Sequence, residues 1–507
     1  MVDANERKKG AILSYISIII VTLVQLLYTP LLVRKLGQNE YGLYSLLSSI
    51  IGYLTVLDFG FGNAIIVYTS KYRSQGKIEE EKKLHGMFLI IFSIIGAIAA
   101  IIGFILFLNV NLFFGDTMTE VELTKAKIMM LILTFNLAIT FPFSIYSSII
   151  TAYEKFTFKK IISILGTLLK PILMIPLLFL NFKAITMTVV ITIINILILL
   201  LNFLYCRKKL KIDIHFYGFD WKLFKEILSY SIFIFIAVIV DQINWNVDKF
   251  ILGAVSGTIA VSVYSIASQF NSLFVNLSSA LSGVFLPKLS KMAGKGESNK
   301  KLTDEMIKIG RIQAYIIFFM LVSFIIFGEK FIILWAGKEY KQSYIIALIL
   351  IIPLCFELVQ NLALNIAQAL GKHKFRAINT LIMALGNIII SYFLAKRYGP
   401  IGSAVGTALS FIICNVMLMN IYYYKKLKLD VIKFWKNISK IITINFIPII
   451  LLLVIMKFIK ISGFLGIFVY GALFGILYCI NSYFLVMNTY EKELVVNLIN
   501  KFKIIKL

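Results

Sequence analysis

The chain has 507 residues, 60% of them hydrophobic and 15% charged, where soluble domains are about 45–50% apolar and about 25% charged. That composition excludes a soluble enzyme, a disordered chain and a disulfide scaffold, and leaves room for roughly 12 to 15 membrane helices of about 20 residues each. The formal net charge of +26 would point to nucleic acid on a soluble protein, but on a membrane protein it is the signature of cytoplasmic loops.

Fourteen spans are predicted, in chain order: residues 10–33, 41–66, 84–115, 128–153, 161–180, 184–206, 226–252, 250–287, 309–328, 344–370, 377–395, 398–424, 438–459 and 461–490. Apolar residues run continuously in them rather than alternating, which assigns helices and not barrel strands. The first run is followed by Arg34 and Lys35 without a small-residue cleavage site, so it reads as a span rather than a cleaved signal. With the N-terminus inside, 36 of the 51 basic residues fall in inner segments and 13 in outer ones. This bias predicts an even helix count with both termini in the cytoplasm. Trp221 and Trp435 fall near inner interfaces and Trp335 near an outer one, as in aromatic belts.

Between the spans, residues 288–308 form the longest polar inner segment and read as a solvated connector. The acidic stretch 109–125, with Asp116, Glu120 and Glu122, reads as a solvated turn. His85, His215 and His373 all fall in predicted cytoplasmic loops. The cysteines Cys206, Cys355, Cys414 and Cys479 are far apart, and no metal-ligand spacing or CxxC is present. There is no GxxxxGK[ST] phosphate loop or GxSxG elbow. The expectation is a protein that is not an enzyme and holds no metal or cofactor.

Short matches recur at a nearly constant offset. Leu13-Ser14-Tyr15 returns at 228–230, Leu36-Gly37 at 252–253, Tyr44-Ser45 at 264–265, and Phe158 to Ile161 stands opposite Phe375 to Ile378. This predicts two parallel copies of six helices around a central cavity, a transporter plan. The lobes are residues 1–210 and 211–425, followed by two C-terminal helices and a cytoplasmic tail over 426–507.

Polar groups inside spans are costly, about 2.5–3.5 kcal/mol for a mid-helix charge on insertion scales, so they face the interior or a wet cavity. The candidates for a substrate cavity are Gln25, Asn63, Lys170, Asn244, Trp245, Tyr264, Asn271, Asn361 and Asn365. Asp241, Trp245 and Asp248 share one helical face, and Glu357, Asn361, Asn365 and Gln368 another. Asp58, Asp241 and Glu357 are candidates to carry a coupling ion, while Asp248-Lys249, nearer an outer surface, reads as structural. The alternative for the amide and hydroxyl stripes is interhelical hydrogen bonding.

Three stretches carry a family resemblance. Arg34-Lys35-Leu36-Gly37-Gln38-Asn39-Glu40-Tyr41-Gly42 is followed by Leu57-Asp58-Phe59-Gly60. Asp241 to Gly253 is followed by Val263-Tyr264-Ser265-Ile266-Ala267 and Leu286-Pro287. Gly371-Lys372-His373-Lys374 is followed by Asn387 and by Tyr398 to Thr407, with Ser403 and Gly406 where the family pattern has alanines. Together they resemble the polysaccharide (Wzx-type) flippases of the multidrug/oligosaccharidyl-lipid/polysaccharide exporter superfamily. The resemblance implies export of undecaprenyl-pyrophosphate-linked oligosaccharide across a bacterial cytoplasmic membrane, by alternating access coupled to H+ or Na+. It implies lipids, a polysaccharide polymerase and glycosyltransferases as partners, and no nucleic acid. A cation such as Lys170 could hold the pyrophosphate. A multidrug antiporter and a lipid II flippase are the rival readings within the superfamily, and a membrane glycosyltransferase the rival outside it.

Overall fold

The computed structural model describes residues 4–214, 216, 218–295, 297–372 and 374–504. His215 and His373 lie outside the described residues. Every regular element among the described residues is helical, as lipid demands: only a helix satisfies each backbone N–H and C=O within its own segment. Among the described residues, twelve helical segments are long and apolar enough to cross a membrane, not fourteen separate ones. The difference lies at two glycines. Val238–Ser279 and Phe375–Lys425 each cover two predicted spans, and each contains one non-helical residue, Gly257 (φ 78°) and Gly399 (φ 58°).

The chain forms two compact units. The first comprises Met1–Ser265 and Ser391–Ser403, the second Ile266–Ile390 and Ala404–Leu507. The first contains α1 (Ala4–Leu36), α2 (Gln38–Leu54), α3 (Phe61–Ser74), α4 (Ile78–Leu108), α5 (Val110–Phe114), α6 (Glu120–Ala152), α7 (Phe156–Phe179), α8 (Ala184–Leu204) and the start of α9 (Trp221–Gly294). Its core is aromatic and aliphatic, with Phe61, Ile65, Phe88, Phe92, Ile145 and Ile149 buried together.

One end of this unit is closed by polar clasps. Glu40 accepts from the Ala184 backbone N–H at 3.1 Å and is ion-paired with Lys125, so a single carboxylate joins α2, α6 and the start of α8. Thr119 and Glu122 form a capping box, and Thr258 Oγ1 donates to the other Glu122 oxygen at 2.8 Å. The 109–125 segment is therefore not simply a solvated turn: Asp116 and Glu120 are exposed, but Glu122 anchors two elements. Gly257 sits at this junction, and a Cβ on it would lie 2.8 Å from the Thr117 oxygen; one on Gly42 would lie 1.9 Å from the Thr258 oxygen. Gly37 (φ 80°, ψ 170°) and Gly257 (φ 78°, ψ −175°) share nearly the same backbone, each ahead of the repeated Tyr-Ser pair. The turn glycine thus follows the offset of Tyr44 and Tyr264 rather than that of Gly37 and Gly253.

At the other end, His85 is buried within α4, 3.1 Å from Thr69 Oγ1, and not in a loop. The charged run before it forms the first turns of the same helix. Tyr153 donates to Glu81 at 2.7 Å, beneath the Arg73 guanidinium. Burial, together with that carboxylate, holds the Tyr153 phenol above the usual tyrosine range.

The second unit holds the rest of α9, α10 (Asn299–Trp335), α11 (Gln342–Val359), α12 (Asn361–Ala369), α13 (Lys374–Phe411, apart from Ser391–Ser403), α14 (Met419–Lys425), α15 (Val431–Ile444), α16 (Phe446–Phe458), α17 (Gly463–Asn481) and α18 (Thr489–Ile504). The polar segment 288–308 is mostly helix rather than a loose connector, because α9 runs to Gly294 and α10 starts at Asn299; Lys288 and Glu305 pair across it. Trp335 is not a belt residue. It is buried against Phe270 and Phe331. Arg311 and Glu491 form a buried bidentate pair, at 2.5 and 2.8 Å, which fixes α18 to α10. Tyr315 and the Asn488 backbone N–H also donate to Glu491, so no carboxylate oxygen is left bare, as a buried charge requires.

Candidate functional site

Asp58 stands not within a continuous helix but at a break. Thr55–Asp58 is a 3-10 turn, Phe59 and Gly60 have positive φ, and α3 starts at Phe61. Two left-handed residues in a row cannot continue an α-helix, so the backbone N–H groups of Gly60 and Gly62 turn toward the Asp58 carboxylate. Asn63 follows on the first turn of α3 and is exposed.

Lys170 lies in α7 immediately before Pro171, with its side chain exposed. Among the described residues no ion pair or hydrogen bond reaches its ammonium group. Gln25, on α1, is also exposed; α1 packs along α7.

The predicted face of Asp241, Trp245 and Asp248 divides. Asp241 and Trp245 are exposed, whereas Asp248 is 2% exposed. Tyr264 Oη donates to Asp248 Oδ2 at 2.6 Å and Ser403 Oγ to Oδ1 at 2.7 Å. Tyr264, read from sequence as a cavity residue, is thus buried with its hydroxyl committed to Asp248. Asn244 Oδ1 is buried without a hydrogen-bond partner. Beside it Asn246 donates to Gln242 at 2.6 Å, opposite Gly52.

In the second unit, Glu357 lies in the last turn of α11, and the predicted stripe from Glu357 to Gln368 is not one helix. It breaks at Gln360, whose buried side chain donates to Asn420 at 2.9 Å. Asn415 donates to Glu357 at 2.9 Å. Glu357, Asn361, Arg376, Asn415 and Tyr423 line a cleft of ≈ 20 Å³, about one water in size. Asn365, one turn beyond Asn361 on α12, is half-buried. Asn271 is buried, its Oδ1 without a partner.

Sequence reasoning missed Arg376, which sits among the basic residues of an inner segment, and Asn415, one of several polar residues in its span. It also missed the Asn195 amide, which donates to Asn136 at 2.6 Å and Thr140 at 2.7 Å. Among the described residues no group of three or more His, Cys, Asp and Glu side chains could hold a metal.

Residues 8–293 match the family model described as polysaccharide biosynthesis protein. The chain belongs to the polysaccharide biosynthesis protein family. A relative within reach is a Shigella flexneri protein named "Putative O-antigen transporter", 22% identical over 429 residues, which cover 82% of this chain and 97% of that one. Another is the Staphylococcus aureus capsular polysaccharide biosynthesis protein CapF, 29% identical over 231 residues, 44% of this chain and 55% of that protein. Among solved structures, the lipid II flippase MurJ in an inward closed conformation aligns with a TM-score of 0.73 at 20% identity, covering 96% of this chain and 99% of that one. An inward-facing MATE transporter of the MOP superfamily aligns with a TM-score of 0.66 at 14% identity, covering 79% and 95%. This member of the polysaccharide biosynthesis protein family therefore shares its fold with these two proteins, and its family motifs fall on the Glu40 clasp, the Asp58 break and the Asp248 cluster.

Proposed function

We propose that this chain is a flippase that carries undecaprenyl-pyrophosphate-linked oligosaccharide, the precursor of an O-antigen, capsule or similar surface polysaccharide, from the inner to the outer leaflet of a bacterial cytoplasmic membrane. The observation that carries the reading is the family match, joined to a Shigella flexneri relative spanned over 97% of its length. Two parallel lobes, 1–210 and 211–425, alternate access, and helices within 426–507 complete fourteen crossings with both termini in the cytoplasm. The matching turns at Gly37 and Gly257 support the repeat. Lys170, an exposed mid-helix cation, is the group assigned to the pyrophosphate. It acts as a point charge, while Asn and Gln side chains offer donors and acceptors to sugar hydroxyls. Asp58, Asp241 and Glu357 are the groups assigned to a coupling proton or sodium ion. The chain performs no covalent chemistry and hands its cargo to the polymerase of the pathway, downstream of its glycosyltransferases.

The test is deletion of the gene followed by analysis of lipid-linked intermediates. Undecaprenyl-linked oligosaccharide accumulating on the cytoplasmic face is the expected result. Accumulated peptidoglycan precursor instead would identify a lipid II flippase. Unchanged glycolipids with heightened dye sensitivity would identify a multidrug antiporter. Lys170→Ala should abolish surface polysaccharide while the protein still inserts, and normal export would remove Lys170 from the site.

A further inference from the structure

A second cavity lies in the second unit, where α10 ends and the loop from α16 turns into α17. It encloses ≈ 440 Å³, far more than a bare ion needs. Two cations line it, Lys330 on α10 and Lys460 on the loop, and no carboxylate does. The neighbouring Glu329 is ion-paired with Lys341 at 3.2 Å instead. The remaining wall is largely apolar, with Leu334, Met456 and Ile467 among its side chains.

The loop is held in shape. The Ile461 N–H donates to Tyr470 Oη at 3.0 Å, and that hydroxyl donates on to the Ile459 oxygen. Lys460 is carried between these two anchor points. Ser462, which also lines the cavity, then caps α17 without a side-chain hydrogen bond to its first turn. Gly463 has φ +70° and open space where a side chain would stand. An N-terminal helix end alone favours anions only weakly. Two lysines and an apolar wall beside it give a cationic rim over a greasy slot.

The position fits a headgroup. Lys330 stands 19 residues beyond Arg311 along the unbroken α10, roughly 28 Å at 1.5 Å per residue, and a bilayer core is about 30 Å thick. With the Arg311–Glu491 pair near one interface, Lys330 and Lys460 lie near the other. We infer that this cavity is a binding site for an anionic phospholipid of that leaflet, with the phosphodiester between Lys330, Lys460 and the start of α17 and an acyl chain along the apolar wall. The site is distinct from the Glu357 cleft and does not depend on which cargo the protein carries.

The test is native mass spectrometry of the full chain, titrated with phosphatidylglycerol, phosphatidylcholine or inorganic phosphate. The expected result is retention of phosphatidylglycerol over phosphatidylcholine, with retention falling about tenfold or more in Lys330→Gln/Lys460→Gln, the order expected for two cations lost from an anionic lipid site. Lys338→Gln, a neighbouring exposed lysine outside the cavity, should leave retention unchanged. Leu334→Trp keeps both cations but fills the slot and should also expel the lipid. Equal retention of the two lipids, or unchanged retention in the double variant, would overturn the site. Competition by inorganic phosphate as strong as by the lipid would reduce it to a free-phosphate site and overturn the lipid assignment. Each variant is compared at matched melting temperature in detergent, so that misfolding is read separately.

Discussion

Ser403 Oγ donates to Asp248 Oδ1 at 2.7 Å. Ser403 is one of the two positions where this chain departs from the alanines of the family pattern, and Asp248 is the second of the two carboxylates in the second family stretch. The other oxygen of Asp248 is taken by Tyr264 at 2.6 Å, and Ser391 Oγ donates to the Ser403 backbone oxygen at 3.2 Å. Residues far apart in sequence thus meet on one buried carboxylate. A buried carboxylate needs such donors, because unpaired it would carry the full desolvation cost. The departure at Ser403 is therefore one extra donor to a group that already has another.

Ser403→Ala should accordingly be mild. Interhelical hydrogen bonds in membrane proteins average about 0.6 kcal/mol and reach about 1.7 kcal/mol, and Tyr264 remains on the carboxylate. Asp248→Ala should cost more, because it leaves the Tyr264 and Ser403 hydroxyls both without their acceptor. Thermal unfolding in detergent orders the two. A Ser403→Ala loss as large as that of Asp248→Ala would show the serine, not the carboxylate, to be the centre of the cluster.

A glycine pair offers a sharper contrast. A methyl at Gly42 would lie 1.9 Å from a backbone oxygen of Thr258, whereas one at Gly471 meets nothing within 4 Å. Backbone cannot rotate away as a side chain can, so Gly42→Ala must separate α2 from α9. It should reduce the folded protein in membranes severely, while Gly471→Ala should be neutral or slightly stabilising, since alanine is favoured over glycine in helices by about 1 kcal/mol. Membrane abundance and melting temperature read both. Equal behaviour of the two variants would mean that the junction is loose.

Spans were legible because they are one-dimensional: about 20 apolar residues make a crossing. The Glu122 cap left a signal, the capping-box spacing of Thr119 and Glu122, inside a stretch that reads by composition as a solvated turn. What was not legible depends on three-dimensional neighbours. Nothing in Leu57-Asp58-Phe59-Gly60 announces that Phe59 takes a positive φ and breaks the span. Nothing in the sequence near 415 or 376 says that an amide and a guanidinium will line the cleft of Glu357. The stripe from Glu357 to Gln368 was drawn on an ideal helix, which the Gln360 break interrupts. Tyr264 has the helical register of a cavity residue, and only the position of Asp248 reveals that its hydroxyl is spoken for.

The Arg311–Glu491 pair predicts strong non-additivity. Removing one partner of a buried pair costs about 3–5 kcal/mol because the other charge is left uncompensated. Arg311→Met and Glu491→Leu should each release α18 and lower the melting temperature markedly. The double variant should be clearly more stable than the sum of the two losses predicts. A double-mutant cycle measured in detergent checks this, and additive losses would show that the two side chains act independently.

The Glu357 cleft separates charge from shape. Glu357→Gln keeps an oxygen that can accept from Asn415, now 2.9 Å away, and keeps nearly the same volume, but removes the negative charge opposite Arg376. If Glu357 carries the coupling ion, the variant should insert and melt like the parent while export of surface polysaccharide falls about tenfold or more, within the range typical of coupling free energies between sites. Asn415→Ala, which leaves the charge in place, should have the smaller effect on export. Measuring surface polysaccharide at matched protein abundance decides the matter. Full export by Glu357→Gln would exclude Glu357 from ion coupling, and a collapse in melting temperature would make its role that of a strut between α11 and the helix that bears Asn415.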